Sequence, residues 1–270
     1  MSFSSSTLSL ELDGHVATLW LDRPDKLNAI SFEMWGDFVS AMEAVAADEQ
    51  IRAVVIAGRG KSFCVGIDLA SLGAAPDLSN ASGCLEQFKH TRLCQEGISA
   101  IANCPVPVIA AIHSHCLGAG VDLATACDIR LAAEDAIFGV RETKIGIVAD
   151  VGTLQRLPGV VSAGHVAELA YTGRDISAEK AEKIGLVNDV YADADSVYVA
   201  ALDLAREIAA NAPLAVRGTK FVLRQGEDLT TEQSLLLNGL WTMMTSLNSN
   251  DLKEAMAAFM QKRPPEFTGS

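Results

Sequence analysis

Between residues 53 and 140, short apolar runs take turns with helical ones, and this alternation limits the fold more than any other feature. Ala53-Val54-Val55-Ile56-Ala57, Pro107 to Ile112, Asp128 to Ala133 and Ala136 to Val140 read as buried strands. Helical stretches over roughly 84–103 and from Gly118 to Cys127 fall between them. Strands alternating with helices belong to parallel crossover units. Upstream, Leu8, Leu10 and Leu12 alternate with polar residues, Asp13-Gly14 signals a tight turn, and Val16 to Leu21 resumes the extended run. Ser31 is placed to cap a helix carrying Phe32, Trp35, Phe38, Val39, Met42 and Val45. Residues 73–83, rich in Gly, Ala, Ser, Asn and Pro, read as a surface loop. After about residue 160 the pattern is helical: Ser177 caps a short helix, and 195–211, 213–225, 230–247 and 250–262 follow.

Composition narrows the function. With 270 residues, 49% hydrophobic and 20% charged, the chain has material for a sizeable core. No run approaches the roughly 18 apolar residues of a membrane span, and Met1 to Thr7 lacks the basic start and apolar stretch of a secretory signal. The expectation is a soluble cytoplasmic protein with no membrane partner. The formal charge of −13, from 34 acidic and 21 basic residues, argues against a nucleic-acid partner. The cysteines at 64, 84, 94, 104, 116 and 127 contain no C-x-x-C pair and read as buried small hydrophobes. Neither they nor the histidines at 15, 90, 113, 115 and 165 supply a metal framework. His113 and His115 have no Ser or Cys nucleophile beside them and read as packing or supporting residues.

Two phosphate-loop patterns fail on inspection. Gly60-Lys61-Ser62 would need a glycine where Val55 stands, and Gly118-Ala119-Gly120 would need one at Leu123. The same segments make better oxyanion donors. Cys64-Val65-Gly66-Ile67-Asp68 and Leu117-Gly118-Ala119-Gly120 are small-residue turns after apolar strands, where backbone N–H groups can meet a ligand oxygen. Read alone, each is also an ordinary strand-to-helix turn.

The strings Ser62-Phe63-Cys64-Val65-Gly66-Ile67-Asp68-Leu69 and Gly118-Ala119-Gly120-Val121-Asp122-Leu123-Ala124 resemble the paired signatures of the enoyl-CoA hydratase/isomerase (crotonase) superfamily. Asp22-Arg23-Pro24 with Leu27-Asn28-Ala29, Thr153-Leu154-Gln155-Arg156-Leu157-Pro158 and the tail Ala257 to Arg263 match it in order. The resemblance implies an α/β fold, a crotonase-type (ClpP/crotonase) spiral of ββα units carrying the acyl-CoA site over 1–195. A helical trimerisation region over 196–270 would make a homo-oligomer, a trimer or a dimer of trimers. Three acids, Asp122, Glu142 and Asp150, select the chemistry. Hydratases of the family carry glutamates at the positions of 122 and 142 and usually glycine at 150. This pattern, above all Val148-Ala149-Asp150-Val151-Gly152, is most similar to Δ3,5-Δ2,4-dienoyl-CoA isomerases.

The resemblance implies that Glu142 takes a proton from C2, that Asp150 returns one at C6, and that Asp122 orients or tunes Glu142. Burial is expected to raise the pKa values of Glu142 and Asp150. The N–H groups of Ile67 and Ala119 would hold the thioester oxygen. Alanine at 119, where many relatives have glycine, would cost about 1 kcal/mol if its φ were positive. Contacts to substrate and CoA fall on Arg23, Lys26, Leu27, Ala29, Lys61, Val65, Gly66, Asp68, Leu69, Gly118, Phe259 and Lys262, the last reaching a neighbouring subunit's ligand. Residues 73–95 would shape the acyl pocket. No metal or other cofactor is expected, the CoA thioester being the substrate. Two alternatives stay open: hydration of a 2-enoyl-CoA, and an inactive CoA-binding scaffold. An RNA-binding side role, found in some relatives, is disfavoured by the −13 charge.

Overall fold

A computed structural model describes residues 3–70 and 76–270. Strands β1 (Leu8–Asp13) and β2 (Val16–Leu21) form an antiparallel hairpin that turns at Gly14, whose φ of 59° suits a residue without a Cβ. β2 continues in parallel to β3 (Ala53–Gly58), β4 (Val108–Ile112), β6 (Ile129–Ala133) and β9 (Asp189–Tyr191). A smaller sheet holds β5 (His115–Leu117), β7 (Ile137–Gly139) and β8 (Ile176–Ser177). Ser114, at a φ of 52°, is the corner at which the chain leaves β4 for β5.

The main sheet is covered on both faces. Leu8, Leu19, Leu21, Val54, Ile56, Val108, Ala110 and Ile112 share one core with α1 (Phe32–Ala47), α2 (Ala81–Ala102) and α3 (Ala119–Ala126). The alternate residues Val16, Ala53, Val55, Ala57, Ile109, Ala111 and Leu131 meet α7 (Ala194–Ala209) through Val197, Ala201, Ala205 and Ala209. Small residues every four positions form one stripe on a helix, and here they let α7 lie close to the sheet. Residues 194–209 thus pack with the sheet, so the boundary expected at 195/196 falls within α7. Helices α8 (Pro213–Gly226), α9 (Thr231–Trp241) and α10 (Asn250–Gln261) follow.

Local expectations shift in two places. Ser31 holds the N-cap position of α1, yet its hydroxyl is buried without a partner. Asn80 caps α2 by accepting the Gly83 N–H at 2.9 Å, so residues 81–83 are helical and not part of a loop. Residues 73–75 of that expected loop lie outside the described residues.

Candidate active site

The two small-residue turns are joined side by side. Phe63 N–H donates to His113 O, Cys64 N–H to His115 O and Leu117 N–H to Cys64 O, at 2.9–3.0 Å. Gly66 and Gly118 adopt φ of 102° and 52°, and a Cβ on Gly66 would stand 3.0 Å from Leu117 O and 3.7 Å from Ala119 N. Ala119 opens α3 with a φ that is not positive, so the strain anticipated for alanine is carried by Gly118. Among the described residues, the Ile67 and Ala119 N–H groups donate to no protein acceptor. For Ala119 that is the state expected of the first amide of a helix, while Ile67 sits in the Ile30–Ile67 bridge; together they leave two free donors on converging turns.

Glu142 faces this pair. A Cβ on Gly118 would lie 3.4 Å from Glu142 Oε1, so the absent side chain is what leaves the carboxyl its place. Neighbours fix its backbone: Arg141 pairs with Asp175, Thr143 Oγ1 donates to Ala170 O at 3.1 Å, and Ile147 N–H donates to Glu142 O at 3.0 Å. Its Oε2 is buried with no partner. Burial pushes the Glu142 carboxyl up to about 7, and the charges of Asp122 and Asp150 push in the same direction.

Asp122, on α3, is 1% exposed and accepts the Thr153 N–H from the start of α4 (Thr153–Arg156). Burial raises it to about 6, against the lowering effect of Thr153 and of Arg156. Asp150 departs from expectation: its residue is exposed, not buried in a tunnel. The segment that carries it crosses the surface, where solvent reaches the carboxyl. Its charge is still felt at both Glu142 and Asp122, so the three acids share one field.

The residues expected to contact CoA divide into two groups. Residues 23–30 and 64–68 run together through an Ile30–Ile67 bridge and the Val65 N–H to Leu27 O bond of 3.3 Å. Arg23 is already engaged, donating to Ala29 O and, at 3.0 Å, to Asp68. Lys26, Leu27, Lys61 and Leu69 are exposed beside them, while Ala29 and Gly66 are buried. Phe259 and Lys262 belong to α10 and its C-cap, and no hydrogen bond or ion pair of their side chains links them to this cluster. A separate cleft of about 900 Å³, lined by residues including Thr125, Asp128, Arg130 and Lys220, lies under α8 and is not this site.

Burial pushes the Cys64 thiol up to about 12, which removes it as a nucleophile at neutral pH. Cys84 is exposed, unlike the other cysteines. His113 is buried with Nε2 3.1 Å from Gly60 O, and His115 Nδ1 lies 2.9 Å from Ser114 Oγ.

The sequence profile of the enoyl-CoA hydratase/isomerase family matches residues 11–270. The chain belongs to this family. It is 40% identical over 256 residues to a mitochondrial Δ(3,5)-Δ(2,4)-dienoyl-CoA isomerase of Dictyostelium discoideum, covering 93% of this chain and 87% of that one. It is 40% identical over 260 residues to the peroxisomal isomerase of the same name from Arabidopsis thaliana, covering 94% and 93%. In structure it resembles a crystallised enoyl-CoA hydratase from Bacillus anthracis, with a TM-score of 0.90, 30% identity and coverage of 98% and 100%. The fold is therefore the crotonase fold of this family. No helix among the described residues is long and apolar enough to cross a membrane. The names mitochondrial and peroxisomal give the cytoplasmic expectation no support.

In this family member, sequence reasoning did not single out Asn28, Gln95 or Ser99 as individual residues of the site. Asn28 is wholly buried at a φ of 56°, donates to Ser62 O at 2.8 Å and accepts the Arg23 N–H at 2.9 Å, which clips the two loops together. Gln95 and Ser99 stand four residues apart on one face of α2 and reach the segment at 150–156. Their spacing is readable, but their target is tertiary.

Proposed function

We propose that the protein isomerises 3,5-dienoyl-CoA to 2,4-dienoyl-CoA. Glu142 takes the C2 proton as the C–H electron pair enters the conjugated system. The negative charge that collects on the thioester oxygen is met by the Ile67 and Ala119 N–H groups. Asp150 then gives its proton to C6. The enzyme resets when exposed Asp150 regains a proton from water and Glu142 releases one, so no proton is gained or lost overall. The observation that carries this reading is Glu142 itself, a half-buried carboxyl beside Gly118 that is raised to about 7 and whose buried Oε2 has no partner. A base of that pKa is half ionised near neutral pH and strong enough to abstract a proton from carbon next to a thioester.

Asp122 bears on the choice of reaction. Its carboxylate is buried and bonded to the Thr153 N–H, which suits a group that sets the field at Glu142 and not one that holds a reacting water. The likeness to a crystallised hydratase keeps hydration as the second reading. The inactive scaffold is disfavoured by the buried, unpartnered Oε2 of Glu142, a costly arrangement with no structural purpose. The mechanism calls for no metal or redox group, because the oxyanion donors supply the charge stabilisation and no electrons change hands.

Exposed Lys26 and Lys61 suit the CoA phosphates, while Arg23, already paired with Asp68, suits a loop-holding role beside Leu27, Ala29, Val65, Gly66, Leu69 and Gly118. Leu235, Leu236, Leu240, Met243, Met244 and Leu247 are exposed along one helical run, more apolar surface than a monomer ordinarily leaves in water. We assign that face to contacts between copies, in a trimer or a dimer of trimers, which would also give Phe259 and Lys262 a neighbour's ligand to meet.

An ultraviolet assay with 3,5-octadienoyl-CoA and, separately, crotonyl-CoA tests the reading. Growth of the conjugated 2,4-dienoyl band, lost in Asp150→Asn and Glu142→Gln, is expected. Loss of the crotonyl-CoA band with no dienoyl signal would make the protein a hydratase.

A further inference from the structure

The chain between Ile147 and Thr153 is held by very little. Ile147 N–H donates to Glu142 O and Thr153 N–H donates to Asp122, but among the described residues the N–H groups of 148–152 donate to nothing. Among the described residues, no hydrogen bond or ion pair holds the Asp150 side chain, the one bond to this residue being to its backbone O. Two side chains grip the carbonyls of this stretch. Gln95 Nε2 donates to Asp150 O at 2.7 Å, and Arg156 Nη1 donates more weakly to Val151 O at 3.4 Å. Arg156 is in turn tied to α2, its Nη2 donating to Ser99 Oγ at 3.0 Å. It reaches that place because Gly152 has no side chain, since a Cβ there would sit 1.7 Å from Arg156 Nη1. The Gln95 amide is itself oriented: its Oε1 accepts from Arg92 Nη1 at 2.8 Å, which leaves Nε2 facing Asp150.

We propose that Gln95 is the positioning residue for Asp150, fixing the acid over C6 of the substrate through its backbone carbonyl while leaving its carboxyl free to donate and regain a proton. The inference rests on the isomerase reading and deepens it. It accounts for an acid that is both exposed and placed. A hold on the main-chain carbonyl places the carboxyl without occupying either of its oxygens. The two proton transfers also have separate supports, because the neighbours of Glu142 are held elsewhere, Arg141 by Asp175 and Thr143 by Ala170 O.

The test is Gln95→Met, which keeps side-chain length and helix preference and removes only the donor. With 3,5-octadienoyl-CoA in deuterated water, two quantities are followed: deuterium entering C2 of recovered substrate, and conjugated product. C2 exchange should stay within about two-fold of wild type while the ratio of exchange to product rises about ten-fold, the scale of one lost hydrogen bond. Exchange and product falling together, as in a general loss of structure, would overturn the proposal, as would an unchanged ratio. A second readout needs no reaction. Endoproteinase cleavage on the amino side of Asp150 should quicken several-fold in Gln95→Met while cleavage at Asp135 does not, and equal rates at Asp150 would overturn the tether. If the wild type itself gives neither product nor exchange, the isomerase reading falls and the catalytic purpose falls with it. Proteolysis then still shows whether the tether exists.

Discussion

Glu142 is a base whose strength is set by its surroundings, and the sign of each contribution can be checked. Burial disfavours the anion and raises the carboxyl to about 7; the Asp122 and Asp150 charges add to that rise. A base must be ionised to act, so the rate of C2 proton removal should fall about ten-fold per pH unit below a midpoint near 7. Asp122→Asn deletes one negative charge and keeps an oxygen for the Thr153 N–H. Glu142 then ionises more readily, and the acid limb moves to lower pH. Deuterium exchange at C2, measured from pH 5 to 9 in both proteins, reads this directly; a limb that does not move would take Asp122 out of Glu142's field. The sequence made the three acids legible as a set but not their environments. Burial was expected for Glu142 and Asp150 alike, yet only Glu142 sits against packed turns. Asp150 belongs to a stretch without backbone partners for its N–H groups, which no local pattern announces.

At the scale of the element, the site depends on how near α3 comes to the turn at 62–66. Gly120 is the point of closest approach: a Cβ there would lie 2.7 Å from Cys64 O and 3.2 Å from Cys64 Cβ. Backbone on a neighbouring turn cannot swing aside as a flexible side chain would, so α3 would have to back away and carry the Ala119 N–H with it. Gly120→Ala should cost about 1–3 kcal/mol, read as a Tm lower by several degrees. It should also reduce kcat, by up to the order of 100-fold that loss of an oxyanion donor brings. Gly164→Ala is the control, since nothing lies within 4 Å of a Cβ at that place in α5 (Ala163–Thr172), and its Tm should be unchanged or slightly higher. A Tm for Gly120→Ala equal to wild type would show that the turns tolerate separation. Strands and helices were readable here because short apolar runs alternate with longer helical stretches. The hold of α2 on 150–156 was not, because Gln95 and Ser99 act across 55 and 57 residues of sequence.

For the whole molecule, the central question is what covers the helices after residue 230. Local signals form them without any partner: Thr230 and Gln233 make a reciprocal cap, Ser249 caps α10, and the chain end is tied back where Asp251 accepts the Thr268 and Gly269 N–H groups. Their stability therefore does not explain the exposed leucines and methionines they carry. Burial between copies does, since apolar side chains gain roughly 25 cal/mol per Å² removed from water. A charge on such a face is costly only if the face is desolvated. Leu236→Glu with Met244→Glu should therefore weaken association on the order of 100-fold, seen by light scattering as smaller species at micromolar concentration. The helices themselves should persist by circular dichroism, because both positions are exposed in the single chain. If Phe259 and Lys262 serve a neighbour's ligand, KM for the CoA thioester should rise as the assembly dissociates, and adding protein should lower it again. An assembly of unchanged mass would move the subunit contact to another face and leave Phe259, 83% exposed in the single chain, without the covering argued for it.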